Sequence, residues 1–312
     1  MIKLSLIVSL AVILTTACSP EKPKPQTTTQ TILNLQVIDI IGPSIDSSRP
    51  LNRPRDIAVN MVGEIFIADY GNDRIVKLDS SHNFISEVGG FGASSYALNG
   101  PVSLALDNVS NLYVIDSGNR RVLRFDRNFN FISEERTYIK SEKIDFINPT
   151  GVEVTARGDI FISDEGLGSC LKLDQFFYYI YDFGSRSSYR PVSYPADIEY
   201  SNDSKIYVAD SEYGSIFIFD DFGLHIQTFG DEVLAEPSAV AVSPRTGIWV
   251  TDSQTGLLHC FNFRGNEIFR WSGQGRQQIV KPTGLFIDSD DTIYIADSAT
   301  ARIFIVKLIL RK

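Results

Sequence analysis

The sequence predicts an all-β chain folded as a six-bladed β-propeller with four-stranded antiparallel blades. Three observations predict it. Six prolines each open a short apolar run, at Pro54, Pro101, Pro149, Pro195, Pro237 and Pro282. An aspartate stands fifteen residues after every one of them: Asp69, Asp116, Asp164, Asp210, Asp252 and Asp297. The last repeat lacks a strand at the C-terminal end, and a strand with no repeat of its own appears at the other end, over 33–42.

The proline spacings are 47, 48, 46, 42 and 45 residues, the period of a small supersecondary unit rather than of a single element. Each unit parses alike. A run such as "DIAV", "GVEV" or "GLFI" follows the proline, then a polar turn, then a second run ending in the aspartate ("IFIAD", "LYVID", "IFISD", "IYVAD", "IWVTD", "IYIAD"). A Gly/Ser-rich turn leads to a third run ("RIVKLD", "RVLRFD"), and a fourth ends near glycine ("FISEVG", "YIYDFG", "HIQTFG"). The runs are of strand length and rich in β-branched and aromatic residues. They are apolar nearly throughout, as strands covered on both faces must be. Four strands per repeat of this length read as a propeller blade. Counting back from Gly42, Ile38 and Ile41 fall where Ile85 and Val88 fall before Gly89, so the N-terminal strand completes blade six and leaves no open edge.

The pattern running from the proline through "GEIFIADYGNDRIVKLD" resembles the NHL repeat, and the resemblance extends over 33–310. Repeats one and two carry it best. Repeats three to five depart in the turn after the aspartate: "DEGLGS", "DSEYGS", "DSQTGL". The resemblance implies a six-bladed ring used in relatives for binding, sensing or catalysis, so it specifies fold more than function. The six aspartates read as structural, accepting backbone N–H groups in the turn that follows each. Arg74, Arg121 and Arg302, twenty residues after their prolines, are expected to hydrogen-bond between blades.

The chain has 312 residues, 43% of them hydrophobic and 21% charged, with a formal net charge of −9. A basic nucleic-acid footprint is absent, so nucleic acid is not an expected partner. Residues 1–17 read as a bacterial lipoprotein signal peptide: Lys3, an apolar run from Leu4 to Leu14 too short to span a bilayer, then small residues. "LTTAC" resembles a lipobox with Cys18 as the lipidated residue, although Thr15 stands where an apolar residue is usual. Residues 18–31 form a linker rich in Pro, Lys, Thr and Gln, and the propeller occupies 32–312. The expected address is the bacterial cell envelope, extracytoplasmic and lipid-anchored. In a two-membrane bacterium, Ser19 after the cysteine implies the outer membrane.

Candidate chemistry lies where the copies differ. Two residues after the proline stand Asp56, Ser103, Gly151, Asp197, Ala239 and Gly284. Asp56 and Asp197 lie three blades apart, facing each other across the channel, where two carboxylates are a candidate site for a divalent cation. The amidating lyase of this repeat family binds zinc through histidines at the channel mouth. Here His82, His225 and His259 all lie late in their repeats. Gluconolactonase-like propellers use carboxylates and an Asn just after the equivalent proline. Here that place holds Arg55, Val102, Thr150, Ala196, Ser238 and Thr283, and no ligand type recurs. HExxH, GxSxG and P-loop motifs are absent, and "DSDDTIYIAD" at 288–297 reads as a turn. Cys170 and Cys260 fall in blades 3 and 5, too far apart for a disulfide.

One stretch departs from the repeat: "QFFYYIYDFG" at 175–184. With Ile180 and Phe183 pointing inward, Phe177, Tyr179 and Tyr181 share the outer face of the outermost strand and form a candidate partner-binding rim. The expected function is a monomeric binding or scaffold propeller for a protein or other envelope ligand, with no cofactor. The alternative is a divalent-metal-dependent channel-site enzyme of lyase or lactonase type.

Overall fold

The structure is a computed structural model and describes residues 32–42, 49–139, 144–185, 190–275 and 277–310. The signal segment, Cys18 and the linker lie outside the described residues. Six four-stranded antiparallel sheets follow one another along the chain. From the innermost strand outward, blade 1 is Pro54–Val59, Ile65–Asp69, Arg74–Leu78 and Phe84–Gly89. Blade 2 is Pro101–Leu106, Leu112–Asp116, Arg121–Phe125 and Phe131–Glu135. Blade 3 is Pro149–Val154, Ile160–Asp164, Ser169–Leu173 and Tyr179–Phe183. Blade 4 is Pro195–Tyr200, Lys205–Asp210, Ser215–Asp220 and His225–Phe229. Blade 5 is Pro237–Ser243, Gly247–Asp252, Leu257–Phe261 and Glu267–Trp271. Blade 6 is Pro282–Ile287, Thr292–Asp297, Arg302–Leu310 and, as its outermost strand, Ile32–Ile41.

The innermost strands touch in order around the circle, and that of blade 6 returns to that of blade 1, closing a six-bladed β-propeller. The N-terminal strand pairs antiparallel with Arg302–Leu310, from Ile32 against Leu310 to Ile41 against Ile303. The last strand is thereby covered by the first, and sheet pairing fastens the ring.

Apolar packing lies between the blades, in six clusters, one at each of the six blade-to-blade interfaces. Trp249 of blade 5, for example, packs with Phe304 and Ile295 of blade 6. The second strands are buried on both faces, which explains their unalternating sequence: Ile65–Asp69, Leu112–Asp116 and Ile160–Asp164 are buried at every residue. Cys170 and Cys260 are buried free thiols.

The recurrent aspartate has one task in all six copies. It accepts the backbone N–H of the residue seventeen positions earlier, two before the proline: Asn52, Asn99, Ile147, Ser193, Ala235 and Val280. It therefore ties the segment approaching each blade to the end of that blade's second strand. In blades 3 to 6 it also accepts backbone N–H groups of the following turn, as Asp210 does from Tyr213 and Asp252 from Thr255. Blades 1 and 2 differ from the expected turn bonding. There the second oxygen receives side chains: Arg74 and Asn72 on Asp69, Arg121 and Asn119 on Asp116. These arginines act within their own blade and on its approach segment rather than between blades, since Arg74 also donates to the Arg49 carbonyl and Arg121 to that of Ala97. Arg302 makes no comparable pair among the described residues.

Each blade has two ends. One carries the opening proline, the aspartate and the last residue of the outermost strand: Pro54 pairs with Asp69, and Arg74 with Gly89. Gly89 has φ +128°, and a Cβ there would lie 2.4 Å from the Asp73 carbonyl oxygen, so glycine is required where the chain leaves the blade. The other end, the hairpin end, carries the turns between the first and second strands and between the third and fourth. Ile32, opposite Leu310 and beyond the Thr292–Lys307 pair, lies at this hairpin end.

The aromatic stretch of blade 3 requires a correction. Phe177 is buried, and Tyr179 and Tyr181 are half-buried; the exposed side chains are Phe176, Tyr178 and Ile180. The reason is strand alternation. Counting back from buried Phe183, odd-numbered residues face the covered side, so Ile180 points out and Tyr181 and Tyr179 point in. Phe177 takes φ +61° in the turn and lays its ring against Tyr113 of blade 2, centroids 6.1 Å apart. Tyr181 Oη donates to the Asp221 carbonyl of blade 4 at 2.6 Å. The three predicted rim aromatics therefore join blade 3 to its neighbours.

Candidate functional site

The channel wall is built from the innermost strands. Asp56 Oδ2 accepts the N–H of Leu104 in the next blade at 2.8 Å, and Asp56 Oδ1 accepts that of Ile57 at 2.8 Å. Ser103 Oγ accepts from Val152 at 3.2 Å and Asp197 Oδ2 from Val240 at 2.9 Å. This position thus bridges to the following blade wherever it has a polar side chain. Where it is glycine, space is short: a Cβ on Gly284 would lie 2.4 Å from the Arg55 carbonyl oxygen, and one on Gly151 2.6 Å from Ser163 Oγ. Asp56 and Asp197 do sense each other across the channel. Burial pushes both carboxyls up, Asp197 to about 6, and the charge of Asp197 pushes Asp56 further. Among the described residues, no three His, Cys, Asp or Glu side chains are grouped closely enough to hold a metal.

Two further channel carboxylates escaped the sequence reading. Four residues after the proline the copies read Ala58, Ala105, Glu153, Glu199, Ala241 and Phe286. Glu153 and Glu199 line a deeper chamber of about 180 Å³ among Leu104, Ala241 and Phe286. Burial, and then the charge of Asp197, pushes Glu199 up to about 8; burial and Glu199 push Glu153 up. The signal was present in two charged residues at a place where the other four copies are apolar.

On the proline face the channel opens into a polar cavity of about 520 Å³. It lies where the approach segments and the turns after the aspartates converge, with Tyr70, Glu165, Tyr194, Glu236 and Lys281 around it. The residue after the proline lines it in all six blades: Arg55, Val102, Thr150, Ala196, Ser238 and Thr283. Thr150 Oγ1 donates to the Pro195 carbonyl at 2.5 Å, Ser238 Oγ to that of Pro282 at 2.9 Å, and Thr283 Oγ1 to that of Pro54 at 2.9 Å. Three copies therefore clamp the next blade. Arg55, at the same place in blade 1, lines the cavity without such a clamp.

None of the histidines lines the cavity. His82 pairs with Asp39, His225 with the Thr228 hydroxyl and His259 with Glu267.

Blades 3 and 4 present an apolar strip at the hairpin end of the outer rim. Phe176, Tyr178 and Ile180 are exposed on one, Phe222, Leu224 and Ile226 on the other. A half-exposed isoleucine recurs on all six outermost strands (Ile38, Ile85, Ile132, Ile180, Ile226, Ile268), so those two are repeat features. The departures are the turn residues. Where blades 3 and 4 have Phe176/Tyr178 and Phe222/Leu224, blades 1, 2 and 5 have Ser81/Asn83, Asn128/Asn130 and Arg264/Asn266.

No protein-family model and no curated protein sequence matches the chain. Solved structures do resemble it. A streptogramin B lyase structure is 14% identical, covering 90% of this chain and 100% of that one, with a TM-score of 0.63. A catalytically inactive histidine-to-alanine variant of virginiamycin B lyase from Staphylococcus aureus, with quinupristin, is 12% identical over 89% of each chain, with a TM-score of 0.63. A protein of unknown function from Bacteroides thetaiotaomicron is 12% identical, covering 88% of this chain and 76% of that one, with a TM-score of 0.66. At these identities the likeness is one of fold. The chain is a six-bladed β-propeller with a polar channel mouth.

Proposed function

We propose that the chain is an extracytoplasmic, lipid-tethered binding propeller of NHL-repeat type that takes a small polar ligand in the channel mouth. The observation that carries this reading is the 520 Å³ cavity, lined by side chains that differ from blade to blade on an otherwise repeated frame. The strand that begins at Ile32 starts at the hairpin end, opposite the cavity. The apolar tips of blades 3 and 4 lie at that same end, and a lipid surface is the partner that suits them.

The test is native mass spectrometry of the full-length chain after incubation with an envelope extract. A retained small molecule, lost in Ala196→Trp, is the expected result, because Ala196 lines the cavity and makes no side-chain hydrogen bond. No retained mass, or one that survives the tryptophan, would overturn the reading.

One observation favours a channel-site enzyme of lyase or lactonase type as a second reading. Asp197 and Glu199 sit two residues apart on one strand, hence on one face, with carboxyl pKa values pushed to about 6 and about 8. Such a pair suits general acid–base work near neutral pH. Recovery of the ligand in chemically altered form would favour it.

A further inference from the structure

Two arginines, Arg74 and Arg121, are buried, and a third, Arg55, is half-buried in the channel mouth. The guanidinium of Arg121 is saturated by Asp116, Glu134 and the carbonyls of Ala93, Ser94 and Ala97. That of Arg74 is held by Asp69, Glu87 and the Arg49 carbonyl. Arg55 has none of this. Its Cζ lies 5.1 Å from the centroid of the Tyr70 ring, and its N–H groups donate to no acceptor among the described residues. It stands in the channel-mouth cavity, at a position that clamps the next blade in three other copies. Burial pulls its pKa down. Its donors stay open to the cavity, so the fork is free to take an acceptor that enters there.

Lys281, ahead of the blade 6 proline, lines the same cavity, and its ammonium makes no ion pair among the described residues. Three of the four carboxylates that line the cavity are accounted for. Asp56 and Asp197 accept backbone N–H groups, and Glu165 accepts the Asn148 amide at 2.9 Å. Glu236 lies within electrostatic reach of Arg55 but makes no hydrogen bond to it.

We propose that Arg55, seated on Tyr70 and assisted by Lys281, is the recognition group for an oxyanion, a carboxylate or phosphate carried by the small ligand of the channel mouth. The planar fork of a guanidinium matches two oxygens of either group, and its stacking on an aromatic face fixes the fork's orientation. The ammonium adds a second charge from the neighbouring blade. This inference rests on the binding reading and sharpens it to a ligand class.

The test is calorimetric titration of the full-length chain at low salt with inorganic phosphate and, separately, succinate. One saturable site per chain is expected for at least one probe, weakened tenfold or more in Arg55→Gln and several-fold in Lys281→Gln. Arg264→Gln, an exposed arginine on the blade 5 hairpin, should bind as the parent does. Binding of phosphate alone assigns a phosphoryl ligand, and binding of succinate alone a carboxylate. Failure of both probes to saturate, or unchanged binding by Arg55→Gln, overturns the proposal. Should Arg55→Gln fold poorly, Lys281→Gln decides. If Arg55→Gln retains the molecule captured from envelope extract as well as the parent, the oxyanion proposal fails while the binding reading stands.

Discussion

Arg121 Nε donates to Asp116 Oδ2 at 2.7 Å, and neither side chain is exposed to solvent. Through this pair the third strand of blade 2 grips the end of the second. Asp116 Oδ1 in turn holds the N–H of Asn99 on the approach segment. Asp69 and Arg74 repeat the arrangement in blade 1. An ion pair taken this far from water stabilises only while both partners are present, because each offsets the other's desolvation.

Asp116→Asn should therefore destabilise the protein by about 3 kcal/mol, by stranding the Arg121 charge in the core. Urea denaturation measures this. A loss below about 1 kcal/mol would mean that Glu134 and the carbonyls suffice for Arg121.

Burial separates Phe176 from Phe177, adjacent in sequence. Phe177 is 5% exposed and packs between blades, whereas Phe176 is 64% exposed. Phe177→Ala should cost about 3 kcal/mol and Phe176→Ser less than about 0.5 kcal/mol. The double variant Phe176→Ser/Phe222→Ser should keep the parent's Tm. In a Cys18→Ala background it should also lose several-fold in co-sedimentation with vesicles of phosphatidylethanolamine and phosphatidylglycerol. Equal sedimentation would remove the lipid surface as the partner of these tips.

Burial raises the pKa of both Cys170 and Cys260 well above that of a free thiol. Neither should react with a thiol reagent in the native state at pH 8, and both should react after denaturation. Fast native labelling at either position would contradict the packing of blades 3 and 5.

The ring was legible in the sequence because its signals are local and repeated. A proline opening each innermost strand and an aspartate fifteen residues on survive in all six copies, since each copy must tie down its own approach segment. Strand closure was legible because Ile38 and Ile41 carry the spacing of Ile85 and Val88. The site was less so. Glu153 and Glu199 occupy strand positions that look unremarkable until the lumen is known to pass there, and only the ring brings them near Asp197. Arg55 was visible as one residue of an unmatched set. Its idle donors became evident only beside Thr150, Ser238 and Thr283, whose hydroxyls are all in use. The rim aromatics were misassigned because the count set Ile180 and Phe183, three residues apart, on one face of a strand whose side chains alternate.

The channel carboxylates make stability depend on pH with a definite sign. Glu199 has a folded-state pKa of about 8 against 4.5 for an ordinary glutamate, and Asp197 about 6 against 3.8. Asp56 and Glu153 are displaced in the same direction. Between those limits the folded protein holds protons that the unfolded chain has released. Stability is therefore full below the unfolded values and is lost as pH rises through the folded ones. Discounted for screening of the charged form, the fall between pH 5 and pH 8.5 should be about 2–3 kcal/mol. Below pH 4 the trend reverses, since Asp252 and Glu64 are held under their ordinary values by hydrogen bonds and, for Glu64, by Lys77. Glu199→Gln replaces the carboxylate with a neutral amide of the same shape. It should raise stability at pH 8 by about 2 kcal/mol, leave it unchanged at pH 5, and flatten the profile between them. Urea midpoints across this range measure the slope for both proteins. Parallel profiles for parent and variant would mean that Glu199 titrates as an ordinary glutamate, and that the deeper chamber is open to water.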